Sequence, residues 1–323
     1  MGVISPELPG ITPPKWVNEP RFESMPATRA KLSFSDRERT AAERLIELAL
    51  QEDLGEQGED VTCSSLIGTQ DQGAVQLVAR RAGVLAGLPV ARMVFARLDL
   101  NIRFEAFVDE GSPLQPGTVA AELSGPLRSL LIGERTALNF LTHLSGVSTL
   151  TRRYVDAVAG TAATIFDTRK TLPGYRVLQK YAVRAGGGSN HRMGLFDGCL
   201  IKDNHLAAWM ASGKAGGIVE AVREARRDVD RGIPVEVEVE TLEQLRDALA
   251  GQPDIVLLDN MSVSMLRDAV AIRNSVAPAV QLEASGGVNL DTVAEIARTG
   301  VERISVGALT HSAPALDLAF DWK

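Results

Sequence analysis

Cysteine is almost missing from this chain: Cys63 and Cys199 are the only two among 323 residues, and they form no Cys-x-x-Cys pair. That excludes a disulfide framework and a cysteine zinc site. Aromatic residues make up only 5 % and histidines number 4. No apolar run approaches the roughly 18 residues that a membrane-crossing helix needs. An excess of positive charge is also lacking, with 34 basic against 41 acidic residues and a net charge of −7. A general binder of nucleic acid or anionic membranes is basic, so neither partner is expected. What is present is ordinary for a globular protein: 45 % hydrophobic and 23 % charged residues. The length suits one large domain or two ordinary ones, with core enough to need no covalent staple.

Residues 1–34 hold six of the 15 prolines and show neither helical nor strand periodicity. They read as a disordered or surface-hugging extension. They contain no apolar signal core, and their acidic residues argue against a mitochondrial presequence, so a cytoplasmic location is expected. Two regimes follow. Residues 35–146 read as an α+β domain: an amphipathic helix at 38–53, strands at 74–80 and 101–108, a helix at 88–98, and a helical bridge over 129–159. Residues 147–310 alternate short apolar runs with helical segments, and 311–323 read as a tail. The strand candidates are 163–167, 198–202, 234–240, 254–259, 280–285 and 302–306, with the clearest helices at 216–231, 241–250, 262–276 and 289–299. Repeated βα units imply parallel strands.

Each of these strands ends in chemistry. In order, the ends read Thr168-Arg169-Lys170, Lys202-Asp203-Asn204-His205, Glu238 with Glu240, Asp259-Asn260, Ser285-Gly286-Gly287, and Gly307-Ala308. Such ends surround one point only if the strands form a ring, which predicts a (βα) barrel. Six strands instead of eight predict an incomplete, irregular one.

The window 164–205 carries seven basic residues against three acidic ones, inside an acidic chain. Arg176, Lys180 and Arg184 recur every four residues, as on a solvated helix face, or belong to the cation set. Arg169, Lys170, Arg192 and Lys202 stand at strand ends or beside the glycine run 186–188, where backbone approaches a ligand closely. Converging cations imply a small ligand with more than one negative charge. Ser285-Gly286-Gly287 and Gly307 suit a phosphate on free backbone N–H groups. Glu236, Glu238 and Glu240 share one strand face, opposite Val235, Val237 and Val239. Inside a barrel, Glu238 and Asp259 would hold Mg²⁺ or ribose hydroxyls. His191, beside Arg192, is a candidate anion donor. His143, His205 and His311 read as structural, and Cys199 as a small core residue.

TRKTLPG at 168–174, KYAV at 180–183, GGGSNHRMGLFD at 186–197 and LIKDNH at 200–205 together resemble quinolinate phosphoribosyltransferase. So do GERTALNFLTHLSG at 133–146, VEVEVETLEQL at 235–245, LLDNM at 257–261, EASGGV at 283–288 and ISVGALTHS at 304–312. The resemblance runs from Glu38 to the C-terminus. It departs at a longer spacer between Gly55 and Asp60, a surface loop. The resemblance implies an open α/β-sandwich domain followed by an α/β barrel. It implies a homodimer with shared active sites, or a hexamer built from such dimers. By motif match, Arg135 would reach the partner's site. Thr168, Arg169, Lys170, His191, Arg192 and Lys202 would surround quinolinate. Glu238 and Asp259 would serve the ribose and Mg²⁺ of phosphoribosyl pyrophosphate (PRPP). Ser285, Gly286, Gly287, Gly307 and Ala308 would hold its 5′-phosphate. Lys170, Lys202, Glu238 and Asp259 would carry the chemistry. The alternatives are a related transferase with another acceptor, a Schiff-base aldolase using Lys170 or Lys202, and a non-catalytic binding protein on the same scaffold.

Overall fold

The structure, a computed structural model, describes residues 32–323. The proline-rich extension therefore lies almost wholly outside the described residues. Leu32 and Phe34 at its end pack on the core, and the Phe34 ring meets Tyr181 edge-on at 5.1 Å.

The chain opens with α1 (Asp36–Leu54), started by a capping box in which the Glu38 carboxylate accepts the Ser35 N–H at 2.8 Å. The long spacer forms an exposed turn that ends at Asp60. Its carboxylate accepts the N–H groups of Thr62 and Cys63 and so caps α2 (Val61–Leu66). Next come β1 (Gln72–Ala79), β2 (Gly83–Val84), α3 (Leu88–Leu98), β3 (Arg103–Ala106), β4 (Pro113–Leu114), β5 (Val119–Pro126) and α4 (Leu127–Ala157). The second half contains β6 (Thr164–Phe166), α5 (Arg176–Gly186), β7 (Cys199–Ile201), α6 (Asp203–Ala211), α7 (Gly217–Asp228) and β8 (Val235–Val239). It continues with α8 (Leu242–Gly251), β9 (Ile255–Asp259), α9 (Val263–Val276), β10 (Gln281–Ser285), α10 (Val293–Ala297), β11 (Arg303–Ser305), α11 (Ala308–His311) and β12 (Leu318–Trp322).

Two large sheets organise these elements, beside a two-stranded pair of β2 and β4. A four-stranded antiparallel sheet has the order β12-β1-β5-β3, and a six-stranded parallel sheet the order β6-β11-β10-β9-β8-β7. The second contains all six strand candidates, and its outer strands β6 and β7 do not pair, so the barrel is incomplete as expected. After α5 the chain lays Ser189 beside β6: Ser189 N–H donates to Ile165 O at 2.8 Å, and Asp167 N–H to Ser189 O at 3.2 Å.

On β8 the period of two sorts the residues. Val235, Val237 and Val239 are buried, while the glutamates take the other face. Burial of a valine contributes about 1.5 kcal/mol or more, so this strand cannot flip faces. The long helix α4 has 31 residues and runs unbroken across the boundary expected at 146/147. Its contact with α5 requires Gly186, because a Cβ there would lie 2.4 Å from Ser148 O.

One expectation fails. Residues 311–323 are not a tail: β12 pairs antiparallel with β1, from Val75↔Trp322 to Ala79↔Leu318. Leu318 and Phe320 are buried, so the end of the chain closes the first sheet. Among the described residues, no helix is long and apolar enough to cross a membrane.

Candidate active site

The C-terminal ends of neighbouring strands bring several of the expected residues side by side. Asp259 and Ser285 are register partners at the ends of β9 and β10. Glu238 lies beside Leu257 on β8. Lys202 follows β7 as the N-cap of α6, and its ammonium forms an ion pair with the Glu238 carboxylate. Thr168 follows β6 and accepts the Lys170 N–H at 3.0 Å, which curls the TRK segment. The Lys170 side chain passes over Gly307, where a Cβ would come within 3.1 Å of Lys170 Cδ. Thr310 donates to Lys170 O at 2.7 Å and ties this segment to α11, whose first residue is Ala308.

Asn260 was named with Asp259 at its strand end but given no role of its own. It sits at φ +52°, its amide donates to Asp259 Oδ2 at 2.8 Å, and its N–H donates to Ser285 O at 2.9 Å. Gly286, at φ +89°, faces it so closely that a Cβ would lie 2.2 Å from Asn260 Oδ1. Asp259 and the Ser285-Gly286-Gly287 loop are thus one rigid unit. Gly287 itself is exposed, with open space where a side chain would be. The signal for Asn260 was its position next to Asp259 and the tolerance of asparagine for the left-handed region.

Arg169 and Arg192 lie close enough for their charges to interact. Burial holds the Arg192 guanidinium below its usual value, and the neighbouring Arg169 charge adds to this. Arg169 Nε is buried without a partner. Arg192 donates to Gly198 O at 2.9 Å. Two neighbouring guanidinium groups offer the planar donors that carboxylates take.

His191 is engaged elsewhere. Its Nε2 lies 3.1 Å from Glu236 and 3.4 Å from Glu283, and its Nδ1 accepts the Arg192 N–H at 2.8 Å. Arg303 donates to the other Glu283 oxygen at 2.6 Å. Burial, then the Glu236 charge, pushes the Glu283 carboxyl above its ordinary range. His191, Arg192 and Glu236 border a cavity of about 700 Å³ with Pro234, Gln281 and Arg303, the last three at or next to the N-terminal ends of β8, β10 and β11. The His191, Glu236 and Glu283 ligand atoms lie within 4.8 Å of one another. They do not suit a metal, because an Nδ1 that accepts a backbone N–H leaves the proton on Nε2. The group is an interior cluster in which Arg303 offsets part of the carboxylate charge.

The remaining expectations divide. Arg176, Lys180 and Arg184 do lie on one helix but are not a solvated face. Arg176 donates to Thr171 and Met193 O, Lys180 is buried in an ion pair with Asp167, and Arg184 bonds Glu38 at 2.7 Å. Arg135 is exposed on α4. His205 Nδ1 accepts the Lys202 N–H, and His143 contacts Gln179 and the Tyr175 ring, both structural contacts. His311 packs close to Gly307, near the mouth.

Comparison with known proteins agrees with this geometry. The family model described as quinolinate phosphoribosyl transferase, N-terminal domain, matches residues 60–145, and that of the C-terminal domain matches residues 147–321. The nicotinate-nucleotide pyrophosphorylase [carboxylating] of Mycobacterium leprae is 46 % identical over 293 residues, spanning 89 % of this chain and 99 % of that one. The probable enzyme of the same name from Bacillus subtilis is 42 % identical over 279 residues, 86 % of this chain and 92 % of its own. The solved nicotinate-nucleotide pyrophosphorylase of Francisella tularensis superposes with a TM-score of 0.81 at 36 % identity, covering 92 % of this chain and 100 % of that one. With both domain models matched over nearly all the described residues, and relatives this similar over most of their own length, the chain belongs to the quinolinate phosphoribosyltransferase family.

Proposed function

We infer that this chain transfers the phosphoribosyl group of PRPP to the ring nitrogen of quinolinate, in NAD biosynthesis. Pyrophosphate and CO₂ leave, and nicotinate mononucleotide remains. The observation that carries this reading is the pair Arg169 and Arg192, close enough for their charges to repel, with Arg169 Nε buried and without a hydrogen-bond partner. A two-carboxylate pyridine matches that receptor. Thr168 and Lys170 complete it, and Arg135 enters from a partner subunit in a homodimer, or in a hexamer of such dimers. His191 contributes through the segment it shares with Arg192. The cytoplasm is the proposed location.

The Lys202–Glu238 ion pair gives the mouth a working logic. A quinolinate carboxylate competes for Lys202, and Glu238 is then free to face the ribose. The pyridine nitrogen lone pair forms the bond to the anomeric carbon as the carbon–oxygen bond to pyrophosphate breaks. Positive charge grows on the sugar, where Glu238 and Asp259 stabilise it. Lys170 stabilises the departing pyrophosphate. The 5′-phosphate rests on the N–H groups around Ser285, Gly286, Gly287, Gly307 and Ala308. The alkylated ring then carries a positive nitrogen beside C2. Its carboxylate leaves as CO₂, the bonding pair stays on C2, and a proton from solvent replaces it.

The donor set fits Mg²⁺: Glu238 and Asp259 are part-exposed carboxylates on neighbouring strands, and hard oxygens are the ligands this ion takes. Mg²⁺ bound with the substrate offsets the charge of the leaving pyrophosphate. Mass spectrometry of products from PRPP and a panel of pyridine carboxylates tests the reading. Quinolinate turns over and nicotinate, without the 2-carboxylate, does not. Comparable turnover of nicotinate overturns it.

A further inference from the structure

The segment that carries His191 and Arg192 is not part of a strand, yet it fills the seam that β6 and β7 leave open. Regular sheet holds each residue by ladder bonds. Here other groups must do so.

They come from one buried ion pair. Asp167 and Lys180 both have 0 % side-chain exposure, so neither can serve solvent or substrate. Asp167 stands just after β6 and collects three donors. These are the Lys180 ammonium, the His191 N–H at 2.9 Å and the Asn190 amide at 2.6 Å. The Lys180 ammonium also donates to His191 O at 3.0 Å, and Asn190 donates to Lys180 O at 2.9 Å. The backbone N–H and C=O of His191 are therefore both captured, one by each member of the pair. From that fixed residue the chain passes directly to Arg192, whose N–H is taken by His191 Nδ1 at 2.8 Å. Burial pushes the Asp167 carboxyl up and the Lys180 ammonium down, each opposed by its partner. Two charges taken out of water are an expensive way to hold a loop. An apolar pair of similar volume commonly gives equal or greater stability. The polar pair does something the apolar one cannot: it grips a peptide group in one place.

We propose that Asp167, Lys180 and Asn190 are positioning residues that fix the His191–Arg192 segment across the barrel seam and so set the dicarboxylate receptor. This rests on the reading that Arg192 binds quinolinate. The three touch no substrate and act through the His191 backbone. Their removal should weaken quinolinate recognition and leave PRPP recognition alone, since the glycine loops and Glu238 lie on other strands.

The test compares Asp167→Leu/Lys180→Met, Asn190→Ala and Arg192→Ala by steady-state kinetics and thermal unfolding. The double variant removes both charges together, so no buried charge is stranded. Its quinolinate KM should rise about tenfold or more, with the PRPP KM within about twofold and unfolding still cooperative. Asn190→Ala keeps the ion pair and should raise the quinolinate KM about threefold, so it decides the matter if the double variant does not fold. Unchanged quinolinate KM in the folded clamp variants, while Arg192→Ala raises it, overturns the proposal. So does an equal rise in both KM values. If Arg192→Ala itself leaves the quinolinate KM unchanged, the parent reading falls, and the clamp with it.

Discussion

The two ends of the barrel use the same residue types to opposite purposes. At the N-terminal end most carboxylates meet a cation, although Glu236 Oε1 and Glu283 Oε1 are buried without a hydrogen-bond partner. Arg226 forks Asp254 with two bonds of 2.8 Å, Arg273 bonds Glu302 at 2.6 Å, and Arg303 bonds Glu283. At the C-terminal end Lys202 and Glu238 are paired, but other charges are not. Asp259 has an asparagine for company, Arg169 Nε has no partner, and Lys170 is exposed. On β8 the contrast runs along one face: Glu236 is buried beside His191, Glu238 is held by Lys202, and Glu240 is exposed. A charge that is already paired and buried stabilises the fold. One that is part-exposed and held against a like charge waits for a ligand.

If that contrast is right, substitutions at the upper end should cost activity and spare stability. Lys202→Ala should lower kcat/KM for quinolinate by about a hundredfold or more, with little change in melting temperature. Retention of more than a tenth of the activity would put Lys202 outside the site. The paired variants Glu238→Gln and Asp259→Asn should lose Mg²⁺-dependent turnover while still binding quinolinate by calorimetry. Their failure to do so would assign these carboxylates to structure, like those of the lower end.

Arg135 sharpens the comparison, because it belongs to neither end of its own barrel. Arg135→Ala and Lys202→Ala should each be nearly inactive alone. Mixed under subunit exchange, half of the dimers carry one intact site, so activity should recover to about a quarter of wild type. No recovery, with exchange demonstrated, would confine Arg135 to its own subunit.

Lower-end variants should show the reverse pattern. Asp254→Ala removes the Arg226 fork and the acceptor of the Val235 N–H at 2.8 Å. Because the pair is part-exposed, the loss should be about 1 kcal/mol in denaturant unfolding, with kcat/KM nearly unchanged. Smallest is a pH effect at Glu302. Burial opposes its ionisation, but Arg273 and the Leu282 N–H outweigh that and hold the carboxyl below its ordinary 4.5. Its folded value is thus lower than its unfolded one. The stability it contributes is complete above the ordinary value and disappears as pH falls through the folded value. Glu302→Gln should therefore be less stable than wild type at pH 7, and the gap should narrow as pH falls below 4.5. A gap independent of pH would mean that the charge on Glu302 contributes nothing.

Much of this was legible without coordinates because it depends on neighbours in sequence. The valine and glutamate alternation on β8 shows which face is buried, and the helix 88–98 is bounded by a glycine and an aspartate. The six parallel strands follow from repeated βα spacing, since parallel neighbours require crossovers. The cations were legible as a local excess in an acidic chain.

Tertiary structure decided what depends on distant partners. Residues 318–322 stand outside the repeated βα pattern, and become a strand because β1 offers an edge to pair with. Lys180 has the spacing of a solvated helix residue. It is buried because α5 turns that side toward Asp167, and no spacing rule contains that rotation. Likewise His191 stands in a glycine-flanked, basic motif that suggests a ligand. Where its ring points was fixed by Glu236 and Glu283, contributed by two separate strands. Sequence sets local conformation and the apolar face, because these arise from a residue and its near neighbours. Which charges meet, and so which remain free for a substrate, arises only when the strands close around one another.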